Sequence, residues 1–410
     1  MRFLGIGDNA DLSSLYVRLA AEGHAVKVHI SEPLCRATLT GLVDKVETWE
    51  AELDWVRAAA ADGCILFENI GAGRGALQDR LRRDGFNVIG SSAYGARLEN
   101  DRAYAQQVLA ELGFRTAAVT AFSDVEEARR FIAGHPQRYV LKCNGSDAVS
   151  YVGRQPDGGD VCTVLAADSR YAGISFILMD FIDGIEMGVG AYFNGIDFLE
   201  PACLDWEHKR FFPGDLGELT GEMGTVVTYD RSQSFFERTL AKMRPRLAEH
   251  GYCGYINLNT IVNEDGIWPL EFTCRFGYPG YAIIDPLQRT SWGDLFNAMI
   301  RRTKRRFETE PGFCAGIVIT TPPLSLLARS GVGTYRLAHL VRRRSLRVRP
   351  SKYPLWGDGI AGRFARDKRD ERLHACRHRC RRDGDGRTRR GERACRPGNG
   401  DECALSARHR

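Results

Sequence analysis

The sequence predicts an α/β domain followed by a larger α+β region and a polar C-terminal tail. Three observations support this division. The first thirty residues have the pattern strand, glycine turn, helix, strand. Strand-like runs dominate between about residues 139 and 275, and residues 361–410 contain few large apolar side chains. A chain of 410 residues also exceeds what one core usually holds, so two or three domains are expected.

The N-terminal segment predicts a βαβ unit of a parallel sheet. FLGIG predicts the first strand, Leu12, Leu15 and Leu19 recur at helical spacing, and VKVHI alternates as a strand does. Gly5 and Gly7 resemble half of a dinucleotide-binding fingerprint, but the third glycine is absent and nearby aspartates would repel a phosphate. We therefore interpret the glycines as a tight strand-to-helix turn. GCILF and NVIG predict two further strands, and the first domain is expected to cover residues 1–98.

The region from 99 to 310 is predicted to be a second, α+β domain. LENDRAYAQQVLAELGF has the apolar spacing of one helix that ends at Gly113. RYVLK and SFILMDFIDGIEMGVGAYF are each expected to form a strand, and EHKRFF is expected to lead into the loop PGDLGELTGEMG. Residues 311–355 are expected to begin a C-terminal subdomain.

Charge and cysteine content suggest a cytoplasmic protein without a specific nucleic-acid partner. The net charge of +5 comes from residues 361–410, where 16 basic and 8 acidic residues give +8 and leave −3 for the rest. The cysteines before residue 320 stand singly, which predicts buried thiols and not disulfides. No apolar run approaches the roughly 18–20 residues that span a membrane, and the N-terminus lacks the pattern of a signal peptide.

Residues 356–410 form an Arg-rich tail that is predicted to be disordered, because it has too few apolar side chains to offset its ordering entropy. Three interpretations remain open. His374, Cys376, His378 and Cys380 could bind zinc, although their spacing fits no standard site. The arginines could contact RNA or an anionic surface, or the segment could be a GC-rich gene read out of frame. We assign no function to it.

Charged and amide side chains inside apolar runs are the candidates for chemistry. Lys142 ends RYVLK, Glu186 lies in a strand-like run, and Glu271 ends IWPLE. An antiparallel hairpin with its turn at NEDG would bring Asn259 close to Glu271. Magnesium prefers such oxygen ligands and usually shares its shell with nucleotide phosphates, which lysine and arginine neutralise. Each residue alone could be structural, and Glu271 and Arg275 could simply belong to an internal ion pair. Together they favour a nucleotide-dependent enzyme.

The order of these segments resembles the ATP-grasp fold, and specifically the phosphoribosylamine–glycine ligase family. The most specific match is LEFTCRFGYPG, and the resemblance covers roughly residues 1–320. It implies a Rossmann-like pre-ATP-grasp domain at 1–98, an ATP-grasp domain at 99–310, and ATP with Mg²⁺ or Mn²⁺ as cofactors. The roles that it implies are ATP binding by Arg102, Lys142, Asp180, Phe181, Ile182, Glu186 and Lys209; a substrate loop with His208, Arg210, Thr220, Gly221, Met223 and Gly224; metal binding by Glu271, Asn259 and Thr273; and a catalytic, substrate-facing Arg275.

The family reaction implied by this resemblance is an ATP-driven condensation of glycine with phosphoribosylamine through an acyl phosphate, as in purine biosynthesis. A monomer or homodimer is expected. Several positions depart from the family pattern: the phosphate loop has Asp147 and no lysine, Met179 replaces an acidic hinge residue, and Thr273 replaces a metal-binding asparagine. On the substrate side, Leu219, Tyr278 and Gly280 replace polar residues. Three alternatives therefore stay open: this ligase, an ATP-grasp ligase for a different carboxylate and amine, and a non-catalytic nucleotide-binding relative.

Overall fold

The computed structural model describes residues 1–71, 73–143, 150–214, 216–303, 305–319, 355–356 and 359–364. Within these residues the strands form three sheets. The phosphate loop with Asp147 lies outside the described residues, and so does most of the predicted tail.

The N-terminal sheet is parallel and has the strand order β3-β2-β1-β4-β5. The predicted βαβ unit is confirmed, since its two strands pair in parallel from Arg2–Ala25 to Gly7–Ile30. The chain leaves the first strand toward one side of the sheet and later continues on the other side, so the strand order reverses between β1 and β4. The elements are β1 (Arg2–Gly7), α1 (Ser13–Ala21), β2 (Ala25–Ile30), β3 (Asp44–Val46), α2 (Leu53–Arg57), β4 (Gly63–Phe67), α3 (Arg74–Arg83) and β5 (Val88–Ile89).

The predicted single helix at 98–113 is wrong, because two helices meet there: α4 (Ala93–Asn100) and α5 (Arg102–Glu111). Asp101 between them has φ −104° and ψ 89°, which is not helical. Its carboxylate accepts the N–H of Tyr104 at 3.0 Å, so Asp101 caps the second helix. Gly113, with φ +77°, follows that helix as expected.

A small antiparallel sheet with the order β6-β9-β7-β8 follows, covered by two helices. Its core contains Ile132, Leu141, Val161 and Leu178. Lys142 is the penultimate residue of its strand. The elements are β6 (Val119–Phe122), α6 (Val125–Gly134), β7 (Tyr139–Cys143), β8 (Tyr151–Val152), α7 (Gly159–Ala167) and β9 (Phe176–Asp180).

The largest sheet is antiparallel, with the order β14-β13-β10-β11-β12-β15-β17-β16. Strands β13 and β14 contribute Ile256, Leu258 and Phe272 to a core that they share with residues of several helices. Its elements are β10 (Ile185–Asn194), β11 (Phe198–Phe212), β12 (Leu216–Thr228), α8 (Gln233–Arg238), α9 (Arg244–Glu249), β13 (Cys253–Asn263), β14 (Gly266–Thr273), α10 (Gly280–Ile284), α11 (Trp292–Arg301), β15 (Phe313–Ile319), β16 (Leu355–Trp356) and β17 (Gly359–Phe364).

Two further expectations from the sequence are wrong. The run 175–193 is not one strand: it breaks after Asp180, and its halves belong to different sheets. The segment expected to be a loop at 213–224 is mostly strand β12, because it pairs with β11 and leaves only a short turn.

The predicted tail is described only at Trp356 and in β17, which pairs with β15 and was not predicted. None of the described helices is both long and apolar enough to cross a membrane.

Candidate functional site

The hairpin of β13 and β14 places an amide and a carboxylate side by side, as the sequence predicts. Asn259 lies opposite Glu271, and Asn257 lies opposite Thr273. The Nδ2 of Asn259 donates to Oε1 of Glu186 on the neighbouring strand at 2.6 Å. Three strands of the large sheet therefore contribute oxygen-bearing side chains to one place.

Cations surround Glu271. Arg102, at the start of α5, places Nη1 2.5 Å from Oε2 of Glu271. Burial would raise the pKa of Glu271, but the charges of Lys142, Arg102 and Lys209 lower that pKa to about 2. Glu271 is therefore ionised at neutral pH and is a hard oxygen donor.

Two lysines from different sheets face these carboxylates. Burial lowers the pKa of Lys142, and the charge of Glu271 opposes that effect. Nζ of Lys209 lies 2.7 Å from Oε1 of Glu186 and 3.2 Å from Oε2 of Glu207. Burial would lower the pKa of Lys209, but Glu207, Glu186 and Glu271 raise it well above its usual value. Both sheets thus supply cations to the same site.

Sequence reasoning missed three further carboxylates on β11 and β12. Burial and the charge of Glu207 raise the pKa of Asp205, whose Oδ1 accepts Nδ2 of Asn257 at 2.6 Å. Burial likewise raises the pKa of Glu207 and of Glu222. Strand periodicity could have found two of these residues, because Asp205 and Glu207 precede Lys209 at steps of two and so point to the same face.

Arg275 has a partner that the sequence did not suggest. Its Nε lies 2.9 Å from Oε1 of Glu99 at the end of α4, and Oε2 of Glu99 accepts the N–H of Cys274 at 2.7 Å. Glu271 pairs with Arg102, and Arg275 pairs with Glu99, so each belongs to an internal ion pair, although the two do not pair with each other. Burial would lower the pKa of Arg275, but the charges of Glu99 and Asp11 raise it. Glu99 therefore fixes both the backbone and the guanidinium at the end of β14.

The expected adenine-binding residues lie where the chain passes from the small antiparallel sheet to the large one. Asp180 ends β9, and Phe181 and Ile182 precede β10. Oδ1 of Asp180 accepts Nε2 of Gln137 at 2.5 Å, and the N–H of Phe181 donates to the carbonyl of Arg138 at 3.1 Å. Their position at this connection agrees with a hinge, while their contact with adenine stays a prediction.

The residues expected in a substrate loop lie on the β11–β12 hairpin. Arg210 Nη1 donates to the carbonyl of Gly217 at 2.9 Å, and the hydroxyl of Thr220 donates to the carbonyl of Lys209 at 2.8 Å. Nε2 of His208 lies 3.1 Å from the carbonyl oxygen of Phe212, and Gly224 lies opposite His208. Gly221 and Met223 lie on the same strand. These contacts stabilise the hairpin, and substrate binding by these residues stays a prediction.

The β13–β14 hairpin offers carboxylate, amide and hydroxyl oxygens as possible ligands for magnesium. The described part of the chain contains no group of three or more His, Cys, Asp and Glu side chains that could hold a metal ion. Ionised Glu271, the amide of Asn259 and the hydroxyl of Thr273 provide hard oxygens of the type that Mg²⁺ prefers when nucleotide phosphates complete its shell. This donor set is of the type that fits a nucleotide-bound magnesium ion.

Comparison with known families identifies this part of the chain. Residues 100–281 match the family model described as phosphoribosylglycinamide synthetase, ATP-grasp (A) domain. This region is an ATP-grasp domain. All of the expected ATP and metal residues of this chain lie inside the matched range.

Curated relatives are similar to the chain over part of their length. It is 27% identical over 268 residues to the phosphoribosylamine–glycine ligase of Streptococcus pneumoniae, covering 61% of this chain and 63% of that protein. It is 26% identical over 302 residues to the phosphoribosylamine–glycine ligase of Streptococcus pyogenes serotype M3, covering 70% of this chain and 71% of that protein. The chain thus spans about two thirds of the length of these relatives.

Solved structures share the fold of the chain. A phosphoribosylamine–glycine ligase from Thermotoga maritima matches with a TM-score of 0.60 and 18% identity, covering 88% of this chain and 90% of that one. An N5-carboxyaminoimidazole synthetase from Staphylococcus aureus matches with a TM-score of 0.57 and 12% identity, covering 91% and 96%. At these identities the likeness is one of fold.

Proposed function

We propose that the protein is an ATP-dependent carboxylate–amine ligase that releases ADP and phosphate. The observation that carries the proposal is the pairing of Glu271 with Arg102 beside Asn259, at a place where the charges of Lys142 and Lys209 also act on Glu271. This arrangement suits a triphosphate and its magnesium ion, because the cations can neutralise phosphate oxygens while Glu271, Asn259 and Thr273 offer oxygen ligands. When bound, magnesium would supply further positive charge at the triphosphate.

The proposed chemistry has two steps. A substrate carboxylate oxygen attacks the γ-phosphorus of ATP, the bond to the β-phosphate oxygen breaks, and an acyl phosphate and ADP form. An amine then attacks the acyl carbon, phosphate leaves, and the amine loses a proton to give the amide. Lys142 and Lys209 would stabilise the charge on the transferred phosphoryl group. Arg275, held by Glu99, would orient the substrate carboxylate.

Glycine and phosphoribosylamine are the first substrates to test, because the Streptococcus relatives are phosphoribosylamine–glycine ligases. A cytoplasmic location and a monomeric or homodimeric state remain predictions from the sequence.

The test measures phosphate and ADP release from magnesium-ATP with glycine and freshly prepared phosphoribosylamine, each omitted in turn. Hydroxylamine added in place of the amine traps an acyl phosphate as a hydroxamate. Lys209→Met should abolish the hydroxamate signal, whereas Lys242→Met, at an exposed lysine that packs on Phe114, should not. If a panel of amino acids and other carboxylates gives neither phosphate nor hydroxamate while ATP binds, the protein is a nucleotide-binding relative and not a ligase.

A further inference from the structure

The N-terminal sheet has two places where backbone N–H groups could hold an anion. One is the glycine turn after β1, which leads into α1, and the other is the glycine-rich stretch after β4, which leads into α3. Ligands of open α/β sheets bind beyond the carboxyl ends of the strands where the strand order reverses, here between β1 and β4. Helix N-termini at such a place bind phosphate.

A carboxyl group of the protein fills the first place. Glu68 directly follows β4 and is only 1% exposed. A Cβ atom at Gly7 would lie 1.8 Å from Oε2 of Glu68, so the carboxyl group occupies the space directly over the glycine turn. The same oxygen accepts the N–H of Asp11 at 3.1 Å, just before α1. A phosphate could not approach Gly7 without displacing this side chain.

A second carboxylate, Asp8, accepts hydrogen bonds from side chains at the other place. Arg74, the first residue of α3, pairs with Asp8, and its Nη1 donates to Oδ1 of Asn69 at 2.8 Å. Nδ2 of Asn69 donates to Oδ2 of Asp8 at 2.9 Å, and the hydroxyl of Ser31 also donates to Asp8. Burial would raise the pKa of Asp8, but these donors and the Arg74 charge lower it. Asp8 is therefore an ionised carboxylate in the position where an anionic ligand would meet Arg74.

Arg275 connects this end of the sheet to the proposed reaction site. Its charge interacts with Asp11, which follows β1, while Glu99 holds its Nε. The cations Arg74 and Arg275 thus each already face carboxylates of the protein. To contact Arg74, a phosphate dianion would have to break the Arg74–Asp8 ion pair. It would then lie beside the carboxylates of Asp8 and Asp11, whose charge has the same sign.

We infer that the amine substrate carries no phosphate group: it is an unphosphorylated, neutral or cationic amine. This inference rests on the proposed ligase function. It favours the second alternative from the sequence, an ATP-grasp ligase for a different carboxylate and amine.

The experiment compares two matched acceptors in the full-length protein. Ribosylamine and phosphoribosylamine, prepared from ammonia with ribose or ribose 5-phosphate, differ only by the phosphate. In titration calorimetry, ribose 5-phosphate should bind the wild-type protein no more tightly than ribose does. Phosphoribosylamine should not increase phosphate release above the level with ammonia alone. Either a tenfold tighter binding of ribose 5-phosphate or turnover that requires phosphoribosylamine would overturn the inference.

The variant Asp8→Asn should gain affinity for ribose 5-phosphate. Asp8→Asn removes the competing charge while keeping the shape, so it should bind ribose 5-phosphate about tenfold more tightly than the wild type does, the effect of about one charge-assisted hydrogen bond. Asp44→Asn, at an exposed aspartate on β3, should change nothing. If Asp8→Asn fails to fold, the wild-type comparison still decides. Hydroxamate formation tests the ligase function separately, because it needs no amine substrate.

Discussion

Replacing Glu271 by glutamine should destabilise the protein as well as stop turnover. The sequence alone suggests that loss of Glu271 removes a metal ligand and leaves the fold intact. The structure changes that expectation, because Glu271 is the common counter-charge of Arg102, Lys142 and Lys209. A neutral glutamine keeps the shape but leaves these three cations facing one another.

The expected loss in the free energy of unfolding follows from the pKa of Glu271. Its pKa falls from 4.5 to about 2 on folding, which at about 1.4 kcal/mol per pKa unit corresponds to about 3 kcal/mol. The side chain is 36% exposed, so solvent screening reduces this to roughly 1–2 kcal/mol. Because the folded-state pKa is lowered, the stabilisation is fully present above pH 4.5 and is lost as the pH falls toward 2.

Urea unfolding of both proteins at several pH values, without nucleotide, measures this difference. The wild type should be more stable than Glu271→Gln at pH 7, and the gap should narrow at pH 3.5. Glu264→Gln, at an exposed glutamate in the turn of the same hairpin, provides the matched control and should show no gap. Equal stability of wild type and Glu271→Gln at pH 7, or a gap that grows toward low pH, would refute the assigned electrostatics.

Two further predictions concern a positioning residue and the C-terminal region. Glu99→Gln should raise the KM of the carboxylate substrate about tenfold, the effect of a lost charge-assisted hydrogen bond. The KM of ATP should change little, because the substitution weakens the contacts to Arg275 and the Cys274 backbone and leaves Arg102, Lys142 and Lys209 unchanged. The same substitution in the exposed Glu111–Arg246 pair should alter neither constant in steady-state kinetics, and a matching change in both variants would argue against the role. A chain ending at Phe364 should melt at the temperature of the full chain, whereas one ending at Pro354 should melt lower, because it lacks the β17 pairing to β15. Equal melting of the two shortened chains in differential scanning calorimetry would contradict the second expectation.

The sequence by itself determined the features that depend on local pattern. Alternating and helical spacing identified the βαβ unit, and the separation of Asn259 and Glu271 by a turn predicted their pairing. These two features need only neighbours in the chain, so the residues themselves carry the information. The resemblance of the motifs to a known family predicted the ATP-grasp domain that the family comparison identifies at 100–281.

Only the tertiary structure decided which charges meet. The Arg102–Glu271 pair spans 169 residues of sequence and the Glu99–Arg275 pair spans 176, and no periodicity links such positions. The break at Asp101, which sets the direction of the helix bearing Arg102, depends on a cap and not on apolar spacing. Two contacts likewise form only because separate strands of one sheet end at the same edge. They are the packing of Glu68 against Gly7 and the ion pair between Asp8 and Arg74. Burial at those places sets the pKa values, and burial is a property of the packed molecule, which is why the charge character of the site could not be predicted from sequence alone.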